Sequence, residues 1–162
     1  MRRLLILLFA LVVTPTASAA TLTLTLVTAS PVTAPGITLN GVDQTKTFAI
    51  AVSEAYTGAG NTLGWNVTAS STTLTSAGKT LPALIVTTVA AGTCTGGGCN
   101  QPTNSITWPI TLSTTAQKIF NAAAGTGKGT VTLTGTYQVT YPSNALPGTY
   151  SAVVTLATAT GP

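Results

Sequence analysis

The residues able to do acid–base, nucleophilic or metal chemistry are few enough to weigh one at a time. Asp43 and Glu54 are the only carboxylates, Cys94 and Cys99 the only thiols, and there is no histidine. A glycosidase needs two carboxyl groups facing one bond, and Asp43 with Glu54 is the single pair on offer. Asp43 follows Asn40-Gly41, where an aspartate ordinarily serves a turn. Glu54 follows the apolar run ending at Val52 and begins a glycine-rich loop. With nothing nearby to orient a substrate, both read as structural. The lack of histidine removes the Ser-His-Asp triad, the Cys-His dyad and every histidine-containing metal site. A non-catalytic protein without metal or cofactor is expected.

Cys94 and Cys99 bracket Thr95-Gly96-Gly97-Gly98. In an exported chain, thiols this close in sequence are most simply a disulfide across a loop tip. A redox pair would want C-x2-C near a βαβ pattern, and a metal site more ligands than two thiols. Gly125, Gly127 and Gly129 alternate around Lys128 without the spacing of a phosphate-binding loop, so they read as a loop entering a strand. Asn66-Val67-Thr68 is a formal glycosylation sequon. Trp65 and Trp108 read first as core, because large aromatics dominate cores. If exposed, they would join Tyr56 and Tyr150 as candidate ligand-binding rings.

Those side chains have to be positioned by the part of the chain that folds. Met1, Arg2 and Arg3 form a basic start, Leu4 to Val13 is an unbroken apolar run, and Ala17-Ser18-Ala19 fits a cleavage site. This is the layout of a secretory signal peptide over 1–19; ten apolar residues fall short of the roughly 20 a membrane helix needs. Its removal halves the net charge of +4 and leaves Lys46, Lys79, Lys118 and Lys128 well scattered. No nucleic-acid partner is expected, since phosphate binding needs clustered cations. No transmembrane segment is expected after cleavage.

The remainder, 20–162, is expected to be a single domain. Only 5% of the whole chain is charged while 44% is apolar, and threonine alone supplies 36 positions. Apolar residues alternate with hydroxyls at Leu22, Leu24 and Leu26; at Phe48, Ile50 and Val52; at Ile106, Trp108, Ile110 and Leu112; at Val131, Leu133, Tyr137 and Val139; and at Tyr150, Ala152, Val154 and Leu156. A period of two buries one face and leaves the other in water. Turn residues such as Pro35-Gly36, Gly58 to Gly60, Ala77-Gly78 and Pro147-Gly148 separate the runs. The pattern predicts an antiparallel all-β sandwich of about seven to nine strands. Thr115 to Ala124 is mixed, carrying both helix formers for a short turn and a possible strand end at Ile119 and Phe120.

The stretch Phe48 to Pro82 combines an alternating strand, a Ser-acid pair, a glycine-rich loop, Gly64-Trp65 with Val67 two places on, and Gly78-Lys79-Thr80-Leu81-Pro82. It resembles the first motif region of the WxL-domain family of bacterial cell-surface proteins. Tyr141 to Pro162, with Gly148-Thr149-Tyr150 entering the last strand, is similar to that family's closing region. The first motif reads Trp65-Asn66-Val67, and the second lacks its tryptophan, reading Val154-Thr155-Leu156. The resemblance implies a secreted protein at the cell surface or cell wall, attached non-covalently to peptidoglycan.

Two functions follow as expectations. One is a wall-binding module whose rings and neighbouring hydroxyls contact glycan. The other is a structural subunit that self-associates or joins other surface proteins by strand addition. Its basis is the run Thr21 to Thr28, which is apolar on one face and uncharged. Natural edge strands usually carry Lys, Pro or bulges against such pairing, and this run carries none before Pro31.

Overall fold

Where the period of two runs unbroken, the chain forms its long strands: β4 (Gln44–Thr57), β11 (Gly129–Tyr141) and β12 (Thr149–Thr160). The computed structural model describes residues 4–14, 21–28, 30–57 and 63–162, with the backbone alone at 4–14 and 21. The expected cleavage site at Ala17-Ser18-Ala19 and the Gly58 to Gly60 turn lie outside the described residues. The other strands are β1 (Leu4–Thr14), β2 (Thr21–Leu26), β3 (Val32–Thr38), β5 (Trp65–Ser71), β8 (Ile85–Ala91) and β10 (Gln117–Ala122). Three two-residue strands complete the set: β6 (Thr75–Ser76), β7 (Lys79–Thr80) and β9 (Ile110–Thr111). Among the described residues there is no helix.

Two sheets face each other as a β-sandwich. One runs β10-β5-β12-β1-β3, with the β6–β7 hairpin attached to β12; the other runs β2-β4-β11-β8-β9. Pairing is antiparallel throughout except between β1 and β12, which run parallel from Ile6 opposite Thr149 to Thr14 opposite Ala157. The segment expected as a signal peptide thus fills the gap between the last strand and β3.

The inner faces carry the predicted apolar sets. Ile50, Val52 and Tyr56 of β4 lie beside Val131, Leu133, Tyr137 and Val139 of β11, and Tyr150, Ala152, Val154 and Leu156 of β12 face them. Branched and aromatic side chains suit this pleated, half-buried setting. Ser and Thr hold most outward positions, such as Thr23, Thr132 and Ser151, which are exposed.

Three segments depart from expectation. Pro35-Gly36, expected as a turn, lies inside β3, where its register shifts against β1. Residues 115–124 contain no helical turn; Gln117–Ala122 is an edge strand. Its pairing with β5 shifts register between Lys118 and Phe120, so Ile119 and Phe120 are both buried although adjacent. A bulge makes that possible by adding one residue opposite its partner. The Ile106 to Leu112 run alternates in burial, yet only Ile110 and Thr111 join a ladder. Pro109, which has no N–H to donate, interrupts it.

Candidate functional site

The four candidate rings do not form a binding surface. Trp65 is fully buried and stacks on Phe120 with ring centroids 5.7 Å apart. Its Nε1–H donates to the Gly127 carbonyl at 2.8 Å. Gly127 sits at φ 75°, and a Cβ there would lie 2.6 Å from both Trp65 Nε1 and the Ala122 methyl. The loop therefore closes over the ring only because this residue is glycine. Tyr150 and Tyr56 are also buried, and the Tyr150 hydroxyl donates to Leu146 O at 3.0 Å. Trp108 is half-buried against the core and donates to Ile119 O at 3.0 Å. Trp65, Tyr56 and Tyr150 are thus corrected from ligand-binding candidates to core residues. Packing took them because each ring is in phase with an inward-facing set. Asn66 of the sequon is buried as well, its Nδ2 donating to Gly161 O at 2.6 Å.

Nor do the two carboxylates meet. Asp43 is exposed just before β4, and its Oδ1 accepts a bond from Ser143 N at 2.6 Å, tying two loops together. Glu54 lies near the other end of the same strand, roughly 35 Å away by the rise of an extended chain. No bond could be flanked by both.

Glu54 is the group that sequence reasoning misplaced. It stands in phase with Ile50 and Val52 and points into the core, fully buried. Neither carboxyl oxygen has a hydrogen-bond partner. Burial pushes its pKa from 4.5 up to about 8, with the nearby Thr158 hydroxyl acting in the opposite direction. Desolvation is the larger of the two effects. At neutral pH the group is the uncharged acid. The signal was present in the sequence: continuing Phe48, Ile50, Val52 by two arrives at Glu54.

Two open clefts lie on the surface. One, of about 440 Å³, is bordered by Tyr56, Thr57, the Thr95–Gly97 loop and Lys128. The other, of about 350 Å³, lies among Ser71, Thr72, Leu84, Leu112 and Ser113. The first is shaped by the Cys94–Cys99 disulfide, whose Cα atoms are 6.0 Å apart. Thr95 and Thr130 exchange two backbone bonds of 2.8 Å, fastening that loop to the start of β11. Each cleft offers hydroxyls and backbone groups, with one ammonium at the first.

The sheet edges differ from one another more than the clefts do. β3 has Pro35 and Gly36 inside it, with a register shift in its pairing. β9 is two residues long and follows Pro109. β10 carries exposed Lys118 and a bulge. Each of these features discourages an incoming strand. β2, the remaining edge, has six residues reading TLTLTL, with no charge, proline or register shift. Its Leu22 and Leu24 are buried, while Thr23 and Thr25 face out. Among the described residues, β2 is the one edge strand of more than two residues with no proline, charge or register shift inside it.

No protein-family model matches the chain, and no curated protein matches it.

Proposed function

We propose that this chain is an exported, non-catalytic structural subunit of the bacterial cell surface that assembles by β-strand addition through β2. The observation that carries this reading is the β2 edge, whose six residues lack the proline, bulge or charge found at β3, β9 and β10. Export is supported by the basic and apolar start of the sequence, and by the Cys94–Cys99 bridge, which belongs to an oxidising compartment. Few charges stand on the outward faces to hold other sheets away, which suits a surface that lives packed against its own copies.

The wall-binding reading loses its main support with the burial of Trp65, Tyr56 and Tyr150. It retains the hydroxyl-lined clefts, which could hydrogen-bond a neutral glycan.

The test is to produce the chain by export, confirm by mass that residues 1–19 are gone, and size it by light scattering across a concentration series. Multimers that vanish when residues 20–28 are deleted support the reading. Assembly unchanged by that deletion overturns it. Retention on purified peptidoglycan by a strictly monomeric chain would favour the wall-binding module instead.

A further inference from the structure

We propose that the slot between β12 and β3, held by β1 until the leader is removed, then receives β2 from a second copy of this chain. The inference rests on the assembly reading above and names the acceptor for the donated strand.

The slot is an interior position of the sheet. β1 pairs with β12 over nine residues, from Ile6–Thr149 to Thr14–Ala157, and on its other side with β3 between Leu4–Thr38 and Phe9–Val32. If a host signal peptidase hydrolyses the Ala19–Ala20 bond, consuming one water, the whole of Leu4–Thr14 leaves. β12 then loses its partner from Thr149 to Ala157, and β3 loses the one strand it pairs with among the described residues. An unpaired backbone edge of that length is what strand donation uses.

β3 is a poor substitute for the lost strand. Pro35 has no N–H to offer, and the register of β3 already shifts between its partners Leu5 and Leu7. Direct closure of β3 onto β12 would leave the ladder broken in the middle.

β2 suits the vacancy in pattern. The neighbouring β12 turns Tyr150, Ala152, Val154 and Leu156 inward, while Ser151 and Thr155 lie on its outer face. β2 carries the same division, leucine inward and threonine outward. It supplies six regular strand residues to the nine of β12 that lose their partner. Leu4 to Val13, by contrast, is apolar at every position and has no such division.

Exchange is also favourable at the donor. In its own sheet β2 is an edge strand with one ladder, to β4; in the slot it would have two. Its departure uncovers Glu54, the buried carboxyl opposite Leu24, and returns that group to water. The leader thus acts as a placeholder, coupling assembly to export.

The experiment uses the exported, leader-free chain and a disulfide lock. Thr23 and Ala55 are register partners, so Thr23→Cys with Ala55→Cys ties β2 to its own sheet. The expected result is a multimeric wild type and a locked variant that is monomeric, reverting to multimers under mild reduction that leaves wild-type assembly unchanged. A second readout does not depend on the lock folding well. Thr23→Cys is combined in turn with Ser151→Cys, Val153→Cys or Thr155→Cys, positions on the opposite sheet within one chain. Covalent dimers from one of these pairs support insertion beside β12; none from any pair counts against it. A locked variant that assembles like wild type overturns the slot while leaving edge pairing through β2 intact. Monomers from every form, wild type included, overturn both. Full-length chain made without export is expected to stay monomeric, its slot filled by its own β1, and multimers of that form would also overturn the placeholder.

Discussion

Leu24 stands directly opposite Glu54 across the β2–β4 ladder, both side chains turned inward, so the uncharged edge strand β2 is also the cover over the only buried carboxyl among the described residues. The two facts share a cause. β4 keeps its period of two through Glu54, and the alternation of β2 places a leucine over it. Burying an acid without a partner is costly, and that cost is concentrated at an edge strand held by a single ladder.

Stability of the monomeric chain should therefore fall as pH rises. Folded Glu54 keeps its proton to about pH 8, while the unfolded chain releases it near 4.5. Between those values the folded state binds more protons, so the contribution is complete below pH 4.5 and is lost as pH climbs toward 8. The whole span is worth roughly 4 to 5 kcal/mol. Glu54→Gln keeps the shape and cannot ionise, so urea melts at pH 5, 7 and 9 should show a flat profile for the variant against a falling one for the wild type. Equal slopes would show that Glu54 is hydrated in solution.

Gly127→Ala should be among the most damaging single-methyl changes in the chain. The added carbon would fall 2.6 Å from Trp65 Nε1, at a backbone φ of 75° that alanine resists. Overpacking and the left-handed backbone together should cost about 3 kcal/mol. Trp65→Ala should cost a further increment, about 3 to 5 kcal/mol, by emptying the space beside Phe120. Thermal melts measure both; a Trp65→Ala variant within 1 kcal/mol of wild type would contradict the buried position.

The architecture was legible because alternation is a local property. Leu22 to Leu26, Phe48 to Val52, Val131 to Val139 and Tyr150 to Leu156 all became strands with the expected faces inward. Residues 115–124 were ambiguous because a bulge at Lys118/Phe120 destroys the period that distinguishes strand from helix. The rings were harder still. Whether a tryptophan faces a ligand or a core depends on what lies over it, and Trp65 is covered by Gly127, 62 residues away in sequence. Glu54 was overlooked because residue type outweighed phase: an acid next to a glycine-rich loop reads as exposed until the strand is counted through to it. The neighbours of β1 involve pairings with Thr149 and Thr38 that no local pattern reveals.

Removing the disulfide should loosen one end of the sandwich without unfolding it. Cys94 and Cys99 close a ring too short to constrain much of the unfolded chain, so Cys94→Ser with Cys99→Ser should cost about 2 kcal/mol, a fall of about 4 to 8 °C in melting temperature. The loss should be local. Amide exchange at Thr95 and Thr130, which bond to each other, should quicken while Val154 and Leu133 stay protected.

Charge placed on the outer face of β2 separates the two ways in which that strand could join copies together. Thr23 and Thr25 are exposed, so Thr23→Lys with Thr25→Lys should leave monomer stability within about 0.5 kcal/mol of wild type. If two β2 edges paired side by side, the introduced ammoniums would lie on adjacent strands of a continuous sheet, where like charges repel; multimers would then dissolve at low salt and return at high salt, as screening requires. A β2 inserted between β12 and β3 meets a different surface. Its outward neighbours there are Ser151 and Thr155, both uncharged, and the nearest copy of the same strand is a whole subunit away. Insertion beside β12 therefore predicts multimers that keep their size in the double variant at low and high salt alike. Light scattering at two salt concentrations makes the measurement, and salt-dependent dissociation would assign the contact to the β2 edge instead.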